Sequence, residues 1–538
     1  MHESQRLNGT RSRDSPFVKK KEYIENTHGS NICLASSGWS ARRAATERGA
    51  GAMLRDESLV VISDFRIFRL VFLFGLLVFV FLVAPQSAQA QIVRNTVGPD
   101  GTFATIQAAV NACPVAVECH VDVRAGGVYS ENVVFPISHT SGTIRVTGGW
   151  DASYSTREEG SRLNTIDGGG TGRVLDIRVG GGAVEIEGFI IENGSDIRGA
   201  GINVWPNHAS DTIVKLTNLD VRNNHASAAE STGGGIRGQL DGSERLEIVK
   251  CAVSSNSVAA TSSGNGADGG GVWISAGSTA SFLVDDTLVE ENTATGDTAG
   301  KTGAGQYFAL FGDASGEITN MEVTGNTAAG TFDGVTGTGG FLDLGENASL
   351  VVRRCVWGLN SNLTGAPGEQ LRIQTYNDTT LLVSDTGIVL GDQDGLNAVA
   401  YDASQQRFVN LTVADNSLIG IGVNLIGSAT ASLYNSIAYG NGTDAYLLGV
   451  TTGTNLIGID PIWVAPGPPS YNYHLDQGSP ALDAGNNAPP GGLGPLDLDG
   501  LPRIQNSTVD IGCYEGAGRL FADGFESGDT GEWSSAVP

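Results

Sequence analysis

The chain has 538 residues and is strongly acidic, with 58 Asp and Glu against 32 Lys and Arg and a formal net charge of −26. Such a surface repels nucleic acids and anionic membranes, so we exclude nucleic acid as a partner. Glycine is abundant, at 76 residues, but apolar residues alternate between the glycine clusters. That alternation argues against a low-complexity disordered chain.

The N-terminal 90 residues are predicted to direct export. Residues 1–52 show no clear pattern and are interpreted as a non-structured upstream extension. Residues 53–90 are interpreted as a signal peptide, because Arg66 and Arg69 precede an apolar run and a small-residue cleavage site. The apolar run is short for a membrane span. We therefore expect the mature chain to begin at Gln91, to lack a transmembrane span and to reach the extracellular space or outer cell surface.

The first mature segment predicts a short amphipathic helix. Ile106, Ala109, Val110 and Cys113 share one helical face, and we expect this helix to cap the N-terminal end of the fold. Cys113 and Cys119 are separated by a short segment in an exported chain. This spacing predicts a local disulfide.

A repeated phrase then dominates the chain. Each copy places an Asn after alternating apolar residues and leads through a polar loop into a glycine cluster, the five asparagines being Asn224, Asn256, Asn292, Asn326 and Asn360. A near-constant period indicates one unit stacked on copies of itself, and the alternation of β-branched residues indicates strands. We predict an all-β fold, a parallel β-solenoid over residues 91–455, with the asparagines as a structural ladder of stacked amides. A β-propeller has a similar period, but the chain shows no blade signature.

The repeat makes further predictions about single positions. Cys251 and Cys355 occupy the same ladder position three coils apart, which is about 14 Å at the spacing of stacked strands. This exceeds the roughly 7 Å limit for a disulfide, so both are expected to be buried thiols. Gly270 lies in a repeat turn where we expect a positive φ, so that Gly270→Val would destabilise the stack.

Three segments carry a resemblance to a known fold group. They are Gly101-Thr-Phe-Ala-Thr-Ile-Gln-Ala-Ala-Val, Gly127-Val-Tyr-Ser-Glu-Asn-Val-Val and Ile166-Asp-Gly-Gly-Gly. They resemble the opening of right-handed parallel β-helix proteins of the pectin lyase-like group. The resemblance implies the fold more than the activity, because the group includes pectate lyases, polygalacturonases, pectin methylesterases, adhesins and phage tailspikes.

A second resemblance covers the C-terminal region. Its motifs are Asn455-Leu-Ile-Gly-Ile-Asp-Pro, Tyr473-His-Leu-Asp-Gln-Gly-Ser-Pro-Ala-Leu-Asp-Ala-Gly, Asp497-Leu-Asp-Gly-Leu-Pro-Arg and Val509-Asp-Ile-Gly-Cys-Tyr-Glu. In order, they resemble "choice-of-anchor Q" proteins, with Cys513 where that pattern usually has Ala. The resemblance implies a module at 456–515 in an exported, often surface-associated bacterial protein. Residues 516–538 form a tail similar to one found on exported Gram-negative proteins.

Two clusters are candidates for catalysis. Asp285 and Asp286 form the densest acidic group of the repeats together with Glu290 and Glu291, and Arg353 with Arg354 is the best basic pair. Paired carboxylates suit hydrolysis, and a basic residue with a cation suits elimination. The alternative to catalysis is that these charged side chains simply form a solvated strand edge.

Binding candidates are equally sparse. Asp497 and Asp499 resemble part of a calcium loop but lack its other ligands, so an Asp-stabilised turn is the alternative. No other cofactor is expected. Trp205, with Asn207 and His208 in a loop, is a candidate platform for a sugar, with partial burial against a neighbouring coil as the alternative.

Together these features favour a non-catalytic, monomeric protein of the cell surface or extracellular space that binds glycans or serves as an adhesin-like scaffold. The rival is a lyase or hydrolase acting on an acidic polysaccharide. Carboxylates or basic side chains that converge on three adjacent coils would favour the enzyme. A flat wall of Asn, Thr and Ser would favour binding.

Overall fold

A computed structural model describes residues 92–207, 211–228, 230–261, 266–296, 302–329, 336–363 and 368–516. The predicted upstream extension and signal peptide, His208, and all but the first residue of the predicted tail lie outside these ranges. Among the described residues, no helix has the length and apolar character that crossing a membrane requires.

The described chain is almost entirely short strands. The N-terminal elements are β1 (Val93–Val97), α1 (Ile106–Asn111), β2 (Cys119–Arg124), β3 (Val128–Ser130), β4 (Val133–Phe135), β5 (Thr143–Trp150), β6 (Asn164–Asp167), β7 (Leu175–Ile177), β8 (Gly182–Glu187), β9 (Phe189–Glu192), β10 (Ser195–Asp196) and β11 (Ile202–Val204). The central strands are β12 (Thr212–Thr217), β13 (Asp220–Arg222), β14 (His225–Ala228), β15 (Ser231–Thr232), β16 (Ile236–Leu240), β17 (Arg245–Val249), β18 (Ala252–Ser254), β19 (Ser257–Ala260), β20 (Ala267–Asp268), β21 (Val272–Ala276), β22 (Ser281–Asp285), β23 (Leu288–Glu290), β24 (Thr293–Thr295), β25 (Thr302–Gly303), β26 (Gln306–Leu310), β27 (Ser315–Thr319), β28 (Glu322–Thr324) and β29 (Thr327–Ala329). The C-terminal strands are β30 (Thr336–Leu344), β31 (Ser349–Arg353), β32 (Val356–Gly358), β33 (Ser361–Asn362), β34 (Glu369–Thr375), β35 (Thr380–Val389), β36 (Asp394–Ala400), β37 (Gln405–Ala414), β38 (Ile419–Leu425), β39 (Thr430–Tyr434), β40 (Ile437–Tyr439), β41 (Thr443–Leu448), β42 (Thr451–Gly453), β43 (Leu456–Ile457), β44 (Trp463–Ala465) and β45 (Asn472–Leu475).

The strands form a right-handed parallel β-helix, so the predicted fold class is confirmed. Among the described residues, sheet A has 23 strands, sheet B has 12 and sheet C has six (β10, β14, β19, β24, β29 and β33). One coil of the repeat crosses sheet A in β12 and β13, turns into sheet C at β14 and returns through sheet B at β16. The described strand pairs are parallel except for the hairpin of β44 and β45. Each strand pairs with its equivalent in the next coil, which is why the sequence repeats.

The coil becomes shorter after the repeated phrase ends. The ladder asparagines Asn326 and Asn360 are 34 residues apart, whereas the later pair Asn416 and Asn441 is only 25 apart. In the described chain sheet C ends at β33, so each later coil passes directly from sheet A to sheet B. The shortening therefore reflects the loss of one side of the coil.

The asparagines of the repeat stack inside the bend between sheets A and C. From Asn256 onward, the Oδ1 atom of each asparagine accepts hydrogen bonds from the backbone N–H and the side-chain amide of the asparagine in the preceding coil, as Asn292 does for Asn256 at 3.0 Å in both cases. Gln370 continues the series after Asn360, at 2.8 Å between the amide atoms. These side chains are fully buried, so the ladder satisfies polar backbone groups that water cannot reach.

Cysteines and the helix occupy the positions that the sequence suggested. A disulfide joins Cys113 to Cys119, and Cys251 and Cys355 are free, buried thiols. Helix α1 buries Ile106, Ala109 and Val110 and packs against β1, β2 and β4 of the first coils.

The C-terminal region, residues 456–516, is mostly turns and packs on the outer face of sheet A. The backbone N–H of Cys513 donates to the Thr412 hydroxyl at 3.0 Å, and Gly512 donates to the Asn435 carbonyl at 2.8 Å. The guanidinium of Arg503 is buried 3.3 Å from the Asp385 carboxylate. Hydrogen bonds and a buried ion pair thus join this region to the outer face of sheet A.

Candidate functional site

The predicted catalytic cluster lies on the outer face of sheet A. The Asp285 carboxylate accepts hydrogen bonds from the Thr319 hydroxyl at 2.6 Å and the Asn320 amide at 2.8 Å, and Arg354 donates to Asn320 at 2.9 Å. Asp286 and Arg354 are bend residues with φ of 48° and 51°. These contacts join strand-end and bend residues of adjacent coils along sheet A.

Arg353 occupies the same ladder as Asp285, but two coils away, because Thr319 pairs in register with both. The structure therefore joins Asp285 to Arg354 through Asn320 and leaves Arg353 apart. Among the described contacts, no second carboxylate bonds with Asp285.

Asp497 stabilises a turn. Its two carboxylate oxygens accept the backbone N–H groups of Leu501 at 2.7 Å and Glu515 at 2.9 Å. Asp499 instead contacts the imidazole of His474. Within the described ranges, no three His, Cys, Asp or Glu side chains are grouped to hold a metal ion.

The outer face of sheet B carries a site that the sequence did not reveal. Trp273, Tyr307 and Phe341 are direct neighbours in register on β21, β26 and β30 and form what we call the aromatic ladder. They face away from the solenoid core because the alternate residues, such as Ile274 and Phe308, are buried within it. Arginines extend the ladder at both ends, with Arg237 before Trp273 and Arg372 after Phe341.

The three rings stack along the helix axis. Ring centroids are 6.4 Å apart for Trp273 and Tyr307, with an 8° angle between planes, and 5.4 Å apart for Tyr307 and Phe341, with a 23° angle. Although these rings point outward, Tyr307 is 7% exposed and Phe341 is 0% exposed. Other parts of the chain therefore cover this outer face, which we call recessed for that reason, and Trp273 is the ring of the three that is partly exposed.

The glycine clusters of the repeat shape this recess. A Cβ on Gly233 would lie 2.7 Å from the Cβ of Arg237, and one on Gly269 would lie 2.8 Å from the Cβ of Trp273. Both glycines have a positive φ, 63° and 67°. The absence of side chains lets the chain turn tightly against the outward residues of sheet B.

Acidic groups lie at one end of the aromatic ladder. The Tyr307 hydroxyl donates to Asp343 at 3.2 Å. The Asn397 amide donates to Glu369 at 3.2 Å and to Asp394 at 3.4 Å. We call Glu369 and Asp394, which are register partners on adjacent coils, the acidic cluster. Asp343 is not part of it, because Asp343 lies in register with Gln374, five residues along β34 from Glu369.

Glu369 is the most perturbed member of the acidic cluster. It is 6% exposed, and its Oε1 accepts a hydrogen bond from Arg372 at 3.2 Å. Its Oε2 is buried and accepts none from the described residues. Burial raises the pKa of Glu369 to about 7, an effect that Arg372 opposes and Asp394 reinforces. Near neutral pH, Glu369 is therefore divided between its acid and its carboxylate form.

A second stacked pair follows the C-terminal ends of β34 and β36, at the opposite ends of these strands from Glu369 and Asp394. Tyr376 and Tyr401 lie 4.9 Å apart between ring centroids with a 7° angle, and the Tyr376 hydroxyl donates to Gln374 at 2.8 Å. At the opposite end of the ladder, Trp205 is 42% exposed and lies beneath the guanidinium groups of Arg178 and Arg237. The recessed face thus carries aromatic surfaces along its whole length.

Comparisons with known proteins add little to this geometry. No protein-family model matches the chain, and no curated protein matches it significantly. Among solved structures, the pectate lyase Pel9A is 8% identical, with a TM-score of 0.39 over 79% of this chain and 97% of that one. The deglycosylated pectin methylesterase from Aspergillus niger is 15% identical, with a TM-score of 0.22 over 53% and 84%. These values support no functional argument.

Proposed function

We propose that the protein binds a polysaccharide along the recessed outer face of sheet B. The observation that carries this proposal is the partly exposed ring of Trp273, which Tyr307 and Phe341 support from the next two coils and which Arg237 flanks on the preceding coil. Aromatic faces pack against the apolar faces of sugar rings, and arginines donate hydrogen bonds to sugar oxygens. Stacked coils repeat these contacts about every 4.8 Å, which suits a polymer.

The setting of this function is also proposed. The N-terminal pattern supports export to the extracellular space or outer cell surface, where we propose that the protein acts as a monomer. The motifs between Asn455 and Glu515 support a choice-of-anchor Q module. The net charge of −26 argues against nucleic acid as a partner.

Trp273→Ala tests the binding site directly. We expect this variant to bind its polysaccharide roughly ten-fold more weakly, because a stacked ring contributes about 1 kcal/mol beyond the area that it buries. Isothermal titration calorimetry against a panel of neutral and acidic polysaccharides, with calcium supplied, would measure the change.

Trp150→Ala is the matched control. Trp150 lies on sheet A, and its ring is also covered by an arginine, Arg94, at 4.7 Å, comparable with 5.0 Å for Arg237 over Trp273. This variant should retain full affinity. Equal losses in the two variants would place binding elsewhere, and no binding by the native protein to any polymer of the panel would reject the proposal.

Catalysis by the acidic cluster is the second candidate. The Asn397 amide bridges Glu369 and Asp394, and a buried acid beside a carboxylate is the arrangement that glycoside hydrolysis uses. In such a hydrolase, Glu369 donates a proton to the leaving oxygen. A lyase acting on an acidic polysaccharide would need a base in the same place.

The pH profile of Glu369 tests this candidate. An acid whose pKa is about 7 is protonated below pH 7, so hydrolysis should fall as the pH rises through that value. Glu369→Gln should abolish it, whereas Glu317→Gln, at an exposed position on sheet A, should not. Reducing-end release and the ultraviolet absorbance of unsaturated products would be followed together. Silence of the native protein in both assays would leave binding as the function.

A further inference from the structure

Arg237 is a buried arginine that forms no direct ion pair with a carboxylate of the described residues. It is 4% exposed and donates to the Asn203 amide oxygen at 3.0 Å, to the Thr232 hydroxyl at 3.2 Å and to the Gln239 amide oxygen. All three acceptors are uncharged. Among the described residues, no carboxylate forms an ion pair with it.

Two carboxylates of this region pair with other arginines. Asp176 accepts hydrogen bonds from Arg178, with atoms 2.8 and 3.0 Å apart, and Glu230 pairs with Arg198 at 3.0 Å. Burial, reinforced by repulsion from Arg198 and Arg173 and opposed by the attraction of Asp176, lowers the pKa of Arg237 to about 10, so the group stays charged at neutral pH. A positive charge is therefore held in the recess of an otherwise acidic protein.

The guanidinium lies over two indole rings. Its central carbon is 5.8 Å from the ring centroid of Trp205 and 5.0 Å from that of Trp273. The Nε1 atom of Trp273 is buried and donates to no acceptor in the described chain. Arg237 itself has N–H groups beyond the three that donate. The recess thus offers several hydrogen-bond donors and the positive charge of Arg237 at one place.

A buried charge without a counter-ion destabilises a fold unless something binds it. We propose that Arg237, together with the indole of Trp273, binds an anionic substituent of the polysaccharide, a carboxylate or a sulfate. This inference rests on the proposed polysaccharide site and names the chemistry of its ligand. A planar guanidinium suits both anions because its fork of N–H groups matches two oxygens at once.

The test compares polymers that differ only in charge. Calorimetry would measure a polyuronate, the same polymer with its carboxyl groups reduced to alcohols, and a sulfated galactan. The native protein should bind at least one anionic polymer ten-fold or more tightly than the reduced polymer, since bonds to charged groups are the stronger ones. Comparison of the polyuronate with the sulfated galactan identifies whether a carboxylate or a sulfate is preferred.

Arg237→Gln should remove this preference, and Arg237→Lys should keep part of it because the charge remains. Arg245→Gln is the control, since Arg245 lies on sheet A and pairs with Glu247 at 2.7 Å. Thermal melting would establish that each variant is folded. If the native protein binds no polymer, the proposed function fails. If it binds charged and uncharged polymers equally, or if Arg237→Gln keeps the preference, only the anion site is rejected.

Discussion

Replacing Asn292 by alanine is expected to lower the free energy of unfolding by about 3 kcal/mol. Its Oδ1 accepts two hydrogen bonds from Asn256, and its Nδ2 donates to the Val253 carbonyl at 2.9 Å and to Asn326 at 3.0 Å. Alanine removes all four bonds at a site with no access to water. The backbone N–H of Asn256 would then be buried without an acceptor, which is the costliest part of the change.

Asn347→Ala is the matched control for the ladder. Asn347 is exposed, and its amide donates to Asp313 at 3.0 Å on the surface. Water replaces that bond, so this change should shift the free energy of unfolding by less than about 0.5 kcal/mol. Urea unfolding followed by circular dichroism would measure both variants. Similar midpoints for the two would show that the stacked amides contribute little to stability.

Gly270→Val is expected to destabilise the stack at least as strongly, by about 3 kcal/mol or more. A Cβ at this position would lie 2.4 Å from the Ala304 carbonyl oxygen and 2.8 Å from that of Thr293. Both atoms belong to the backbone of the next coil and cannot rotate away. We expect this variant to lose native structure, which would be seen as a large drop in melting temperature or as insoluble expression.

The reason differs from the one that the sequence suggests. The repeat turn predicts a positive φ at Gly270, but the left-handed residue is its neighbour Gly269, whose φ is 67°. Gly270 instead allows two coils to approach closely. Gly277→Val is the control, because a Cβ there meets its nearest atom, an oxygen of Asp241, at an ordinary 3.5 Å. A melting temperature for Gly270→Val that equals the control's would refute the steric argument.

Repetition explains why the fold was predictable. Each coil uses the same residue types at its bends, so Asn224 and the later ladder asparagines recur at spacings that reveal the repeating unit. The alternation of polar and apolar residues in a strand such as β17 then predicts which side chains face the core. The buried thiols of Cys251 and Cys355 follow from the same register.

The proposed binding site is less apparent from the sequence than the fold, although its aromatic residues do repeat. Trp273, Tyr307 and Phe341 recur in step with the ladder asparagines, yet each ring alone is an ordinary residue of a strand. The burial and stacking of these rings depend on how the glycine-containing turns fold back against sheet B. For Glu369 and Asp394 the repeat itself is lost, because the coil shortens after Asn360.

Local patterns in this chain thus specify the parallel β-helix, the inward residues and the turns, since strand alternation and turn chemistry act over a few neighbouring residues. The properties of the site arise only when coils are stacked. The raised pKa of Glu369 and the lowered pKa of Arg237 depend on neighbours from other coils. Burial and charge are sums over the surroundings in space, which no single stretch of sequence contains.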